Sequence, residues 1–405
     1  MDALTIINGL MSPEGQDDPY PLYEQARKLG PVARADEFLV LVTGYEEADR
    51  TLRTPAFGVG DAELRAQWEP GFTDHPGLTL LADSMLQRNA PDHARMRSLV
   101  ASVFTSRRVA ALEPAVTAAV ERLLDDLADH GDTPVDFQDA FAFRLPIGVI
   151  CELLGVPERD RHRFRPLAAD LTTTLEILTG DEDLTGADQA AEELAAYFTE
   201  LAAERRARPQ QDLVSALVEV ADADQQRLSD AELIANLALL LVAGFETTGN
   251  LLGNGLALLL DHPDLAADLR DGTLSPGAFT TEVLRYDSPV QLTSRLALAD
   301  DLAIGGQQVP RFTGAFLLLG AANRDPRRFP DPDRFHPARD DGPPLSFGGG
   351  IHYCLGAQLA RLESDTALPA LLRRFPALAP AAAPTRRQRL VLRGYHTLPV
   401  TLTGR

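Results

Sequence analysis

Lysine and cysteine are nearly missing from this chain, and each scarcity removes a class of chemistry. Lys28 is the only lysine among 38 Lys and Arg residues. It sits in Ala-Arg-Lys-Leu with no glycine-rich loop before it, so a P-loop is excluded. Lysine Schiff-base chemistry is left with the same single residue. Two cysteines, Cys151 and Cys354, are too few for a four-thiolate zinc or iron–sulfur site. They make no disulfide framework either, which points to a reducing cytoplasm. Met1 to Gly15 has no basic n-region and no apolar stretch of signal length. Positive charge is also short: 38 cations face 59 acidic residues, a net charge of −21. That balance disfavours nucleic acid or an anionic membrane as the main partner. Gly58-Val-Gly60 is the nearest approach to a dinucleotide fingerprint, but position 63 is Glu.

What is present is an ordinary globular composition, 45% hydrophobic over 405 residues. The excess of Ala, Arg, Gly and Pro over Lys suggests a GC-rich bacterial genome. Length alone suggests two or three domains. The most apolar stretch, Leu237 to Leu260, is interrupted by Glu246, Thr247, Thr248, Asn250 and Asn254. A membrane span needs about 20 mostly apolar residues, so this stretch reads as a buried helix. Ser229 and Glu232 form a Ser-x-x-Glu capping box at its start, and Asp261-His262-Pro263 ends it. Further helical patterns cover 94–129, 141–154, 187–208, 278–286 and 356–375, with strand-like pieces at 39–42, 290–298 and 315–319. Between Asn323 and Pro344 lies a Pro- and Asp-rich coil, long enough to expect a function for it.

That coil delivers the chain to Phe347-Gly-Gly-Gly-Ile-His-Tyr-Cys354-Leu-Gly356. Consecutive glycines let a backbone turn sharply and approach another group closely. Cys354 then stands at the start of a helix, whose first amides favour a thiolate. Such a thiolate could be a nucleophile, with His352 nearby but no orienting Asn or Asp assignable, or a metal ligand. A buried, inert cysteine is the plain alternative.

The stretch 347–361 resembles the haem-binding loop of the cytochrome P450 superfamily, with Phe347, Gly350, His352, Cys354 and Gly356 in its pattern without departure. The resemblance implies that Cys354 is the axial ligand of a haem iron, where a thiolate pushes electron density onto the metal. Four more stretches resemble family motifs and stand in family order. Glu282-Val-Leu-Arg285 matches Glu-x-x-Arg, and Pro332-Asp-Arg334-Phe335 resembles the later element whose arginine completes a buried network, so Arg334 is the expected third member. Ala243-Gly244-Phe245-Glu246-Thr247 resembles the stretch of the long helix that passes over the haem, with Thr247 and Glu246 bringing protons to the bound oxygen. Asn89 to Arg97 departs from its family segment at the first two residues and at Met96, but keeps His93 and Arg97 as expected propionate partners. Arg295 and His352 match two further propionate positions.

The resemblance covers roughly residues 21–400. It implies a mainly α fold with small β-sheets, as a single domain over 1–405 with residues 1–20 as an N-terminal extension. Haem b would lie between the long central helix and the Cys-bearing loop. The implied activity is monooxygenation of a small apolar substrate, with Phe245, Val290, Leu292 and Thr293 lining its pocket. No flavin or nicotinamide motif is present, so electrons are expected from NAD(P)H through a ferredoxin reductase and a ferredoxin. Arg95, Arg97, Arg107, Arg108 and Arg361 are candidates for docking that donor on a cytoplasmic, monomeric protein. A peroxygenase is disfavoured by the presence of Glu246 and Thr247, and a haem sensor by the lack of an output domain. By analogy the expected task is tailoring a bacterial secondary metabolite such as a polyketide or macrolide, by hydroxylation or epoxidation. Phenol coupling, or steroid or terpene hydroxylation, is the alternative.

Overall fold

The computed structural model describes residues 1–180, 182–223 and 228–403. The chain falls into two compact units: Met1–Gly58, Val116–Leu145 and Thr247–Arg405 form one, and Val59–Ala115 with Pro146–Glu246 the other. The long helix Asp230–Asp261 runs through that division, its first half counted in one unit and its second half in the other.

The first unit carries every strand found among the described residues. Its largest sheet has the order Val32–Arg34, Leu39–Val42, Gly314–Leu318, Leu292–Ala297, Phe57–Gly58. Leu39–Val42 runs parallel to Gly314–Leu318, with Leu41 opposite Phe316. Leu292–Ala297 runs antiparallel to the same strand, with Arg295 opposite Ala315. Val40, Val42, Ala297, Ala315 and Leu317 build the core on this sheet, as alternating apolar residues of a half-covered strand do. The helix Pro276–Tyr286 precedes the strand Leu292–Ala297, and the helix Ala357–Arg374 follows the Cys354 loop.

Residues 1–20, expected as an extension, are packed into this unit. They include the helices Ala3–Met11 and Pro13–Asp17, with Ile6 and Leu10 buried. Arg393 donates to the carbonyls of Asp17 at 2.8 Å and Gln16 at 3.2 Å. The Arg324 guanidinium lies between the rings of Tyr20 and Tyr286, 3.6 and 3.9 Å from their centroids. Asp287 accepts from Arg393, Arg386 and Tyr20 at 2.8–3.0 Å. Burial pushes its carboxyl up, but the two guanidiniums outweigh this and hold it below the usual carboxylate range.

The second unit is helical. The continuous pattern over 94–129 is in fact cut into Asp92–Val103 and Ser106–Ala110, which belong to this unit, and Glu113–Ala128, which from Val116 onward belongs to the first. The first break is chemical: Thr105 has extended backbone angles and its Oγ1 accepts from the Arg108 amide at 3.2 Å, a helix cap inside the run. The capping box before the long helix closes reciprocally, Ser229 N to Glu232 Oε2 at 2.8 Å and Glu232 N to Ser229 Oγ at 3.2 Å. The helices Phe164–Leu171 and Thr185–Ala207 also belong to this unit, and residue 181 between them falls outside the described residues.

The long helix is the one helix of membrane-spanning length and hydropathy among the described residues, and 72% of its most apolar window is buried inside the protein. Glycine serves close packing on its second half. A Cβ at Gly249 would run into the Phe143 ring, and one at Gly253 into the Gln138 side chain. Those two positions let the wide-turn segment Gln138–Ala142 and the start of the following helix lie against it.

Candidate active site

The Cys354 loop is shaped by its glycines. Gly348 and Gly350 have φ values of +68° and +65°, the left-handed region that side chains avoid. A Cβ at Gly350 would also collide with the carbonyl of Leu52. The turn closes with Gly348 N donating to Leu345 O at 2.7 Å and Cys354 N to Phe347 O at 2.9 Å. Cys354 is exposed, two residues before Gly356, which caps the helix Ala357–Arg374. Around a Cβ built on Gly356 only the Cys354 Sγ comes within 4.0 Å. Cys151, by contrast, is 0% exposed in the helix Arg144–Leu154, and burial pushes its thiol up to about 12. It is a core residue.

A buried ion network stands in the same unit. Glu282 and Arg285 pair in two hydrogen bonds of 2.8 Å, with side chains only 4% and 2% exposed. Arg285 also donates to the carbonyls of Asn323, Pro332 and Arg334 at 2.8–3.1 Å. The third charged member is Arg339, not Arg334. Arg339 Nε meets Glu282 Oε1 at 3.2 Å, and its other nitrogens hold the carbonyls of Pro330, Asp331 and Arg334. Arg334 is exposed, and its backbone oxygen accepts from Arg285 and Arg339. The physical reason is the coil itself, which has no ladder or helix to satisfy its carbonyls. Two guanidiniums do so instead, a role for five-donor side chains. Asn323 and Ser346 complete the tie between coil and cysteine loop. Asn323 bonds Leu345 N at 2.7 Å and Ser346 Oγ at 2.9 Å, and Ser346 Oγ donates to Leu284 O. Neither residue stood out in the sequence.

Arg295 is also buried, at 6% exposure, but is treated differently. It donates to Ser294 O at 2.7 Å and weakly to Thr293 Oγ1 at 3.4 Å, and no carboxylate pairs with it among the described residues. Burial alone pushes it down to about 10. Of the expected pocket residues on this strand and before it, Val290 and Thr293 keep partial exposure and Leu292 is covered.

On the long helix, Ala243 is exposed and Gly244 and Thr247 are half-buried, an open strip in an otherwise covered stretch. A Cβ at Gly244 would meet Ile150 only at 3.8 Å, so the protein's own packing does not demand glycine there. Phe245 does not share the strip. Two residues along a helix turn the side chain by about 200°, and Phe245 is only 1% exposed. It is a core residue rather than pocket lining. Glu246 is 0% exposed and accepts a hydrogen bond from Thr172 at 2.6 Å. In the same unit His93 is buried and Arg97 half-buried, one turn apart on the helix Asp92–Val103. Arg95, expected to be available for docking, is paired with Asp92 and Glu232 at 2.8 and 2.6 Å. Arg107 and Arg108 are exposed.

A mainly helical chain with small sheets, a glycine-shaped cysteine loop and a Glu282–Arg285–Arg339 network behind it defines the haem-thiolate class of oxygenases. The sequence profile of the family described as Cytochrome P450 matches residues 162–272 and 277–395, and this chain belongs to that family. It is 40% identical over 414 residues to 6-deoxyerythronolide B hydroxylase of Saccharopolyspora erythraea, covering 99% of this chain and 100% of that one. Cytochrome P450 monooxygenase PikC of Streptomyces venezuelae is 40% identical over 380 residues, 91% of this chain and 88% of PikC. Among solved structures, P450BioI in complex with an acyl carrier protein ligated to hexadec-9Z-enoic acid superposes with a TM-score of 0.88 at 36% identity, covering 96% of this chain and 99% of that one. The protein is therefore a haem monooxygenase that acts on a small organic substrate and takes electrons from a redox partner. Its residues suit that cofactor. Cys354 offers one thiolate at a helix start, and Arg295 is a desolvated cation whose buried charge an acidic group such as a propionate would offset.

Proposed function

We propose that this haem monooxygenase hydroxylates or epoxidises an apolar polyketide or macrolide, as a tailoring step in making a bacterial secondary metabolite. The observation that carries the reading is the end-to-end similarity to 6-deoxyerythronolide B hydroxylase, a protein named for a macrolactone. When bound, haem supplies the activation of dioxygen, and the overall change is R–H plus O₂, two electrons and two protons to R–OH plus water. Cys354 would ligate the iron, and His93, Arg97, Arg295 and His352 would hold the propionates. Ala243 and Gly244 keep side-chain bulk on the long helix low, and Phe347 and Gly356 shape the cysteine loop. Glu246 and Thr247 bring in the two protons while apolar walls keep bulk water out. The same pair argues against a peroxide-driven peroxygenase, which needs no proton supply of this kind.

The electrons come from NAD(P)H through a ferredoxin and its reductase in the cytoplasm, and the protein works as a monomer. Arg107 and Arg108 are the freest of the candidate docking cations, so ferredoxin-supported turnover should fall steeply with added salt. A second reading, an acyl chain delivered by a carrier protein, has the support of the P450BioI complex. A titration of the oxidised protein decides between them. Macrolactones shifting the haem to high spin at low micromolar concentration support the first reading. A shift produced by acyl carrier conjugates alone, with macrolactones silent, overturns it.

A further inference from the structure

Thr172 is a residue that no motif picks out. It is the first of three consecutive threonines that end the helix Phe164–Leu171 in a tight turn, Thr172–Leu175. Each of the three hydroxyls turns back to a carbonyl three residues earlier: Thr172 to Ala169 at 2.7 Å, Thr173 to Asp170 at 2.6 Å, Thr174 to Leu171 at 2.8 Å. Thr172 differs in being 0% exposed and in having a second oxygen within reach, Glu246 Oε2 at 2.6 Å. Both residues lie in the same compact unit.

A hydroxyl has one hydrogen to give and lone pairs that accept. Here two oxygens compete for that hydrogen. When Thr172 gives it to Glu246, the contact serves a carboxylate. When Thr172 gives it to the Ala169 carbonyl, a lone pair faces Glu246 and can accept from a carboxylic acid. The heavy atoms need not move between the two arrangements, because only the hydroxyl hydrogen rotates. An arginine or lysine in this place would favour the ionised form alone. A group that delivers protons repeatedly passes through both forms, and a partner suited to both keeps it in place throughout.

We propose that Thr172 is a positioning residue for proton delivery, holding the Glu246 carboxyl in one orientation in either protonation state. This rests on the reading of Glu246 as the proton-delivering acid. The test uses haem-loaded wild type, Thr172→Val, Thr172→Ser and Glu246→Gln with a reductase, a ferredoxin and a spin-shifting substrate. Two quantities are read: product formed per NAD(P)H consumed, and the carboxyl stretching band in infrared difference spectra, assigned by its loss in Glu246→Gln. Thr172→Val should lower coupling about three- to tenfold, releasing the balance as hydrogen peroxide, and should shift the carboxyl band. Thr172→Ser should restore both to within about twofold of wild type. If Glu246→Gln uncouples the enzyme while Thr172→Val matches wild type in coupling and band position, the proposal is overturned and Thr172 is packing only. If Glu246→Gln itself stays fully coupled, the role of Glu246 falls and the proposal falls with it.

Discussion

Arg285 and Arg295 are ten residues apart in sequence, sit in the same compact unit, and are both buried, at 2% and 6% exposure. Arg285 has the two oxygens of Glu282 and three backbone carbonyls. Arg295 has one good carbonyl contact and no carboxylate among the described residues, and burial pushes it down to about 10. A cation removed from water is costly unless compensated. The first site is complete within the protein, so it serves the fold. The second is incomplete among the described residues, and under the proposed reading an anionic edge of the cofactor would complete it. Burial alone does not separate a structural charge from a functional one, whereas the state of its partners does.

That contrast can be broken experimentally. Arg285→Leu leaves Glu282 with Arg339 as its only charged partner among the described residues and frees three coil carbonyls. The expected loss is about 3–5 kcal/mol in denaturant unfolding, with no haem-loaded soluble protein recovered. Within the network, Arg339→Leu should cost about 2–4 kcal/mol for the same reason. Arg334→Ala, which keeps the backbone oxygen, should stay within about 0.5 kcal/mol of wild type. Equal effects of the last two would return the third place to Arg334.

Arg295→Leu should act in the opposite sense. Removing an uncompensated buried cation leaves the haem-free protein as stable as wild type or more so. Haem retention should weaken about tenfold through one lost charge-assisted bond. A haem-free protein destabilised as much as by Arg285→Leu would erase the distinction. The smallest effect lies in pH. Burial holds the folded Arg295 at about 10, below the ordinary arginine range, so above pH 10 the unfolded chain keeps a proton that the folded chain has released. Unfolding then takes up protons, and stability rises with pH relative to Arg295→Leu between about pH 10 and 12. Haem loading should flatten that difference.

Features whose logic is local were legible in the sequence. The Ser229–Glu232 capping box closes as its spacing implies, because both partners lie within one helical turn. The glycines of the cysteine loop have the backbone angles that only glycine adopts readily. The strand 292–297 falls inside its expected range, and 314–318 matches its expected range with a shift of one residue. Legibility stopped where contacts are distant or irregular. Arg339 displaced Arg334 because the coil's path, not its spacing, decides which guanidinium reaches Glu282. Phe245 was misplaced because a motif gives the identity of a helix position without its rotation. Thr172 lies 74 positions from Glu246 and carries no pattern of its own. Residues 1–20 looked peripheral because the groups that hold them, Arg324 and Arg393, come from the far end of the chain.

The central claim is that Cys354, and not Cys151, ligates a haem. It is tested most directly by the difference spectrum of the reduced, carbon-monoxide-bound protein in wild type, Cys354→Ala and Cys151→Ala. The account predicts the long-wavelength Soret band of thiolate-ligated haem in wild type and Cys151→Ala, and its loss in Cys354→Ala. Persistence of that band in Cys354→Ala, or its absence from haem-loaded wild type, would contradict the account.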